Sequence, residues 1–173
     1  HYGEYEAIVA DIVENIKNNG DQALFEYTAK FDKFALNADN IRVTEAEIEE
    51  AYASISSEYI EVMKEAFENI KAYHEMQVRN SWFSTKPDGS ILGQRITPIA
   101  KVGVYVPGGK AAYPSSTLMN IVPALVAGCE RIVMVTPPNS EGKVNAGTLA
   151  AAKIAGVKEI YKCGGAQAIA SLA

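Results

Sequence analysis

The side chains and glycines that could meet a ligand cluster late in the chain. Gly108 and Gly109 follow the apolar run Val102 to Val106, and Gly164 and Gly165 follow Glu159 to Cys163. Glycine after a strand lets a backbone approach a ligand closely, and a helix opening just beyond offers unpaired N–H groups to a phosphate or carboxylate. Such helices are expected near Ser115 and Ala166. Tyr105 stands near the end of the first run with its ring on the face opposite Val104 and Val106, and Gln167 falls in the first turn after the double glycine. Packing explains either residue, as turn chemistry explains the glycines, and ligand contact is the alternative reading. Standard nucleotide fingerprints are missing: there is no G-x-G-x-x-G, and Gly103 to Lys110 imitates a Walker sequence only loosely, with a second Gly where Lys belongs and no Ser or Thr after it.

Nucleophile and metal chemistry are limited by inventory. Two His (His1 and His74) and two Cys (Cys129 and Cys163) make no ligand set. Ser115 and Ser116 have no His partner in reach and read as helix caps. Carboxylates crowd the first half without pairing to a pocket. No catalytic residue and no metal ligand is therefore assigned. The two cysteines fall before one predicted strand and at the far end of another, roughly 15 Å apart, which argues against a disulfide.

These residues need elements to position them. Val102 to Val106, Arg131 to Thr136 and Glu159 to Cys163 read as strands, each followed by a loop and a helix, the first helix over Pro114 to Ala127 with Gly128 as its stop and the second from about Asn145 to Ala155. Three β-α units at about 30-residue spacing imply a parallel sheet with right-handed crossovers, whose loops gather on one edge. Pro123 is expected to kink or split the first of these helices. Upstream, Tyr5, Ile8, Val9, Ile12, Val13 and Ile16 mark a helix face that ends at Asn18, Asn19 and Gly20; Asp21 then caps a short second helix. Thr44 and Glu47 match a capping box, and Ser56 and Ser57 open a long helix carrying Ile60, Met63, Phe67, Ile70 and His74, the last read as a surface or interhelical residue. Lys86-Pro87-Asp88-Gly89 is the turn of a connecting hairpin.

The fold class is thus α/β: a helix-rich segment with its hairpin over residues 1–100, then an incomplete Rossmann-like parallel sheet of three β-α units over 101–173. With 173 residues, 48% of them hydrophobic and 21% charged, the chain is globular in composition, and no apolar run is long enough to span a membrane. The start lacks signal-peptide character, so the cytoplasm is the expected compartment. Net charge is −5, divided between −10 over residues 1–80 and +5 over 81–173. The basic half favours a small anionic ligand, and nothing in it suggests nucleic acid. The last helix is expected to have barely two turns before Ala173, without a stop signal, as in a piece of a longer protein.

The run VGVYVPGGKAAYPSSTLMNIVPALVAG from Val102, VTPP at Val135 and GGAQAIASLA at Gly164 together resemble histidinol dehydrogenase. So do the opening IVENIKNNGDQALFEYTAKFD and the stretch AFENIKAYHEMQ, so the resemblance covers essentially the whole chain, as an N-terminal fragment of that family. It implies a zinc-dependent homodimer that oxidises L-histidinol through the aldehyde to L-histidine with two NAD. Tyr105 and Gln167 match family positions that contact NAD. The resemblance places the zinc ligands, the catalytic Glu-His pair and the histidinol contacts beyond Ala173, and implies that this piece is inactive alone. The alternatives are a family relative oxidising another small alcohol and a stand-alone nucleotide-binding or assembly module.

Overall fold

A computed structural model describes residues 2–108 and 113–173. Helix α1 (Tyr2–Asp32) is two helices in succession, because Gly20 breaks the helical dihedrals at φ 54°, ψ −133°. That backbone falls in the region glycine enters most readily, so the break sits where the sequence stop signal ends the first face. Ile12 and Ile16 of that face are buried, but Tyr5, Ile8, Val9 and Val13 are exposed, Tyr5 at 70%. Helix α2 (Glu45–Ser54) opens on the expected capping box: the Thr44 hydroxyl accepts from the Glu47 N–H at 3.2 Å, and the Glu47 carboxylate accepts from the Thr44 N–H at 2.8 Å. Helix α3 (Ser57–Glu75) is capped by Ser56, whose hydroxyl accepts from the Tyr59 N–H. His74 lies near its end, half-buried, and its Nδ1 is 2.8 Å from Gln77 Oε1.

Strands β1 (Trp82–Thr85) and β2 (Ile91–Gln94) form the expected hairpin about the 86–89 turn, where Gly89 takes φ 84°. Every one of its side chains is exposed, including Trp82, Phe83, Ile91 and Leu92. The main sheet comprises β3 (Lys101–Tyr105), β4 (Arg131–Thr136) and β5 (Glu159–Lys162), all parallel, in the order β3-β4-β5. Helices α4 (Pro114–Ala127), α5 (Ala146–Ile154) and α6 (Gly165–Leu172) follow the three strands.

Strand alternation divides the sheet into two apolar faces. Val104, Val106, Met134 and Ile160 face one core with Leu118, Ile121 and Val122 of α4 and the alanine-rich face of α5, and Ile48, Ile60 and Met63 of α2 and α3 close it from outside. Tyr105, Val135, Tyr161 and Cys163 face the other, which is covered by Ala23 and Leu24 of α1 and by Ala168 and Leu172 of α6. Helices on both faces of a parallel sheet are the α/β architecture the sequence predicts.

Pro123 does not split helix α4, and Ile121 and Val122 beside it are fully buried. The expected serine cap of the helix is corrected. Its cap is Tyr113, and Ser115 lies inside the first turn, because Pro114 fixes the first helical position and forces the residue before it out of the helix.

The outer side of β5 is also occupied. Val43 N–H donates to the Ile160 carbonyl at 2.9 Å and Lys162 N–H to the Ile41 carbonyl at 2.8 Å, so residues 41–43 run antiparallel along the strand.

Candidate functional site

Parallel strands deliver their following loops to one edge, and here three of them meet around a single proline. A Cβ added at Gly108 would lie 2.7 Å from Pro137 Cγ, and one at Gly164 would lie 2.6 Å from Pro137 Cβ. The loops after β3 and β5 therefore close on the loop after β4, and only glycine permits that approach. Gly109, together with Lys110, Ala111 and His1, lies outside the described residues.

Tyr105 and Gln167 converge on the same short segment. The Tyr105 hydroxyl accepts from the Gly165 N–H at 3.3 Å, and its carbonyl accepts from Asn120 Nδ2 of α4, also at 3.3 Å. Gln167 is 1% exposed and folds over Gly165: a Cβ built there would stand 2.6 Å from Gln167 Oε1. Gly165 takes φ 68°, so both the conformation and the space require glycine. Tyr105 is half-buried, with its ring on the face opposite Val104 and Val106, as the alternation predicts.

The helices that follow the loops differ at their first turns. Asn145 caps α5, its side chain accepting from the Thr148 N–H at 3.2 Å. Tyr113 and Gly164, the cap residues of α4 and α6, make no side-chain cap hydrogen bond among the described residues. The positive ends of two helix dipoles therefore point toward this edge, the Gly165 N–H of α6 being donated to Tyr105, and such an arrangement suits an anionic group.

One feature of the region escapes sequence reading. Asp32, at the end of α1, is half-buried with no hydrogen-bond partner for Oδ2, and burial raises its carboxyl above the ordinary value. It acts on Cys163 at the end of β5, whose thiol is pushed up to about 12 by burial and then by the Asp32 charge. A thiol so protonated is an inert packing group. Cys129 and Cys163 are both free. Nothing in the sequence spacing joins residues 32 and 163, since only the fold of α1 onto β5 and α6 brings them together.

Among the described residues no group of three or more His, Cys, Asp or Glu side chains could hold a metal ion, and no helix is long and apolar enough to cross a membrane. The strongest ion pairs lie away from the strand-end loops. Lys162, 8% exposed, pairs with Glu47; Arg131 donates to Glu159 through Nε at 2.9 Å and through a second nitrogen. The latter pair and the Tyr161 hydroxyl hold the Glu159 carboxyl at about 2 against a smaller opposing effect of burial.

Comparison with known proteins gives a consistent result. The family model described as histidinol dehydrogenase matches residues 1–173. Histidinol dehydrogenase of Bacillus subtilis (strain 168) is 55% identical over 170 residues, which are 98% of this chain and 39% of that protein. That of Geobacillus kaustophilus (strain HTA426) is 54% identical, over 98% of this chain and 40% of its own length. The crystal structure of histidinol dehydrogenase from Elizabethkingia anophelis superposes with a TM-score of 0.89 at 40% identity, covering 96% of this chain and 38% of that one. The chain thus spans about two-fifths of the length of these relatives.

Proposed function

Because the chain belongs to the histidinol dehydrogenase family, we propose that it is the amino-terminal part of a cytoplasmic, homodimeric enzyme of histidine biosynthesis that oxidises L-histidinol through the aldehyde to L-histidine. The observation that carries this reading is the extent of the match, 55% identity across 98% of the chain, which takes in both faces of the sheet and its ligand edge.

Within that enzyme, residues 101–173 are assigned as the first part of the NAD-binding domain. The residues present fit a dinucleotide: glycine backbones line the strand ends, two helices open there without side-chain caps, and Tyr105 and Gln167 meet at Gly165. Tyr105 and Gln167 would hold NAD, which supplies the hydride acceptor for both oxidation steps. The role of Tyr105 is positional, since its hydroxyl and carbonyl tie the end of β3 to Gly165 and to Asn120 and so fix the width of the edge. Gln167 packs over the glycine that starts α6 and sets the angle at which that helix points its N–H groups.

Zinc, which the family resemblance implies, does not fit the described residues, since no cluster of ligating side chains forms among them. Its ligands and the base that takes the alcohol proton are assigned to the part of the enzyme outside this chain. The chain alone is accordingly expected to turn over no histidinol.

The test is NADH formation by the longer protein that carries this chain. Histidinol should yield two NADH per molecule and outperform other small alcohols. Tyr105→Phe and Gln167→Ala should raise KM for NAD by about tenfold, equivalent to ~1.4 kcal/mol of lost contact, with a smaller change in kcat. No NADH from histidinol, or faster oxidation of another alcohol, would overturn the assignment.

A further inference from the structure

The segment that joins α1 to the main sheet is fixed at both of its ends. Lys33, the one non-glycine residue with positive φ among the described residues, takes φ 60° and turns the chain off the end of α1, its Nζ donating to the Lys30 carbonyl at 2.7 Å. Side chains other than glycine, asparagine and aspartate seldom adopt that backbone, so the turn is held by what surrounds it. Beyond it Asn37 and Asn40 close a compact turn. Asn37 Oδ1 accepts from the Asp39 N–H at 2.9 Å, Asn40 Oδ1 accepts from the Asn37 N–H at 2.8 Å, and Asn40 Nδ2 donates to the Ala35 carbonyl at 3.1 Å. The segment then bonds to β5 through Ile41 and Val43. Phe34 stands between these two anchors, half-buried.

The Phe34 ring bears on Gly142, in the loop between β4 and α5. A Cβ added at Gly142 would fall on the ring, at Cε2 and Cζ, and Gly142 takes φ 77°, so both the space and the backbone require glycine. The ring packs at the margin of the core that holds Ala23, Leu24 and Cys163 rather than within it. The loop it meets is a closed body. The Asn139 N–H donates to the Lys143 carbonyl and the Gly142 N–H to the Asn139 carbonyl, each at 2.9 Å, and Asn139 Oδ1 accepts from the N–H groups of Glu141 and Lys143. At the start of this loop is Pro137, against which Gly108 and Gly164 close. A push at Gly142 therefore reaches Pro137 through a loop with little internal freedom, and Pro137 is where the three strand-end loops meet.

We propose that Phe34 is a positioning residue for the ligand edge: wedged between the fixed turn and Gly142, it sets where the loop after β4 stands and, through Pro137, the spacing of Gly108 and Gly164 that admits the dinucleotide. The hold on the loop stands on the contacts alone, while its effect on the dinucleotide rests on the NAD reading above. A shift of about 1 Å at a binding edge can cost up to about a hundredfold, so a loosened loop is sufficient. Because Phe34 acts through the loop, its loss should weaken the seating of NAD and leave the chemistry of the alcohol, assigned to other parts of the enzyme, largely as it is.

The test uses the longer protein that carries this chain, with two readouts. In steady-state kinetics Phe34→Ala should raise KM for NAD by about tenfold, with kcat and KM for histidinol within about twofold of native. Phe34→Tyr, which keeps the ring on Gly142, should restore KM for NAD to within about twofold. In residue-resolved amide hydrogen exchange without NAD, Phe34→Ala should speed Asn139 and Gly142 by at least about tenfold, while Leu149 and Ala155 at α5 keep their native rates. Ile12→Ala, which empties a buried site of the same core in the first half of α1, should leave KM for NAD at its native value. An unchanged KM for NAD in Phe34→Ala, an equal rise in Ile12→Ala, or failure of Phe34→Tyr to restore it would overturn the positioning role. Unchanged exchange at Asn139 and Gly142 would overturn the hold on the loop. Should Phe34→Ala not fold, Phe34→Leu should show the same two changes at about threefold, and their absence would equally overturn the proposal. A native protein that forms no NADH from histidinol would refute the enzyme reading, and the exchange contrast would still uphold or refute the hold of Phe34 on the loop.

Discussion

Replacing Glu47 and replacing Lys162 should have very different costs, although the two side chains form one ion pair. Lys162 is 8% exposed and Glu47 32% exposed. Glu47 also accepts from the Thr44 N–H and hydroxyl through its other oxygen, at 2.8 and 3.0 Å. Glu47→Gln keeps an acceptor for the capping box, so α2 stays capped. It leaves the Lys162 ammonium buried without its anion. Removing one partner of a fully buried pair costs about 3–5 kcal/mol, and the partial exposure of Glu47 brings the expected loss to about 2–3 kcal/mol. Lys162→Met leaves a carboxylate that still holds Thr44 and reaches water, and its methylenes fill much of the lysine stem's space; about 0–1 kcal/mol is expected. The double variant should resemble Lys162→Met, giving a coupling of about 2–3 kcal/mol. In a urea titration with m of about 2 kcal/mol/M, Glu47→Gln should lower the midpoint by about 1–1.5 M and Lys162→Met by no more than about 0.5 M. Acid should act as the glutamine does. Burial opposes ionisation of Glu47, but its hydrogen bonds with Lys162 and Thr44 outweigh this and hold its carboxyl below the ordinary 4.5. The pair's contribution is therefore complete above pH 4.5 and lost as pH falls through the depressed value. A loss from Lys162→Met equal to or larger than that from Glu47→Gln would refute the reasoning, since the lysine would then stabilise by packing.

Two further outcomes are expected. Gly164→Ala, at φ −136°, meets no dihedral penalty but drives a Cβ to 2.6 Å from Pro137; a loss of about 1–3 kcal/mol and, in the longer enzyme, weaker NAD binding should follow, both readable by thermal melting and NAD titration. The Glu159 carboxyl, held at about 2 chiefly by Arg131, should give the native chain an advantage of about 1 kcal/mol over Glu159→Gln above pH 4.5, the half-exposed arginine limiting its size. That advantage should vanish as pH falls from 4.5 toward 2, and a difference independent of pH in parallel melts would exclude the ion pair as its source.

Local chemistry made much of the fold legible. The Thr44 and Ser56 caps, the break at Gly20, the 86–89 turn and the three β-α units each depend on residues adjacent in sequence, and all occur as read. Ser115 looks like a cap in the sequence, although Pro114 beside it carries the opposing signal. The face of Tyr5, Ile8, Val9 and Val13 shows the limit of periodicity, which identifies an apolar stripe but not what covers it. The isolated bridge at Arg42 is too short for any pattern to show, and its partner Tyr161 lies far along the chain. The placement of Tyr105 at a strand end and of Gln167 at a helix start is legible in the sequence, whereas their meeting at Gly165 is not. The roles of Pro137 and Asp32 depend on distant loops meeting, which no spacing encodes.

The bridge at Arg42 also bears on how the molecule is made. Its two backbone hydrogen bonds, and the Glu47–Lys162 contact across 115 residues, join early sequence to the last strand, whereas Arg131 and Glu159 are only 28 apart. Closing the longer loop costs about 1.2 kcal/mol more in chain entropy, so the β-α units gain their contacts first. On the ribosome, at about 5–20 residues per second, α1 and α2 wait on the order of 6–23 s for β5 to emerge. During that interval Ile12, Ile16, Ala23 and Leu24 of α1, which are buried in the folded chain against the sheet and α6, stay uncovered.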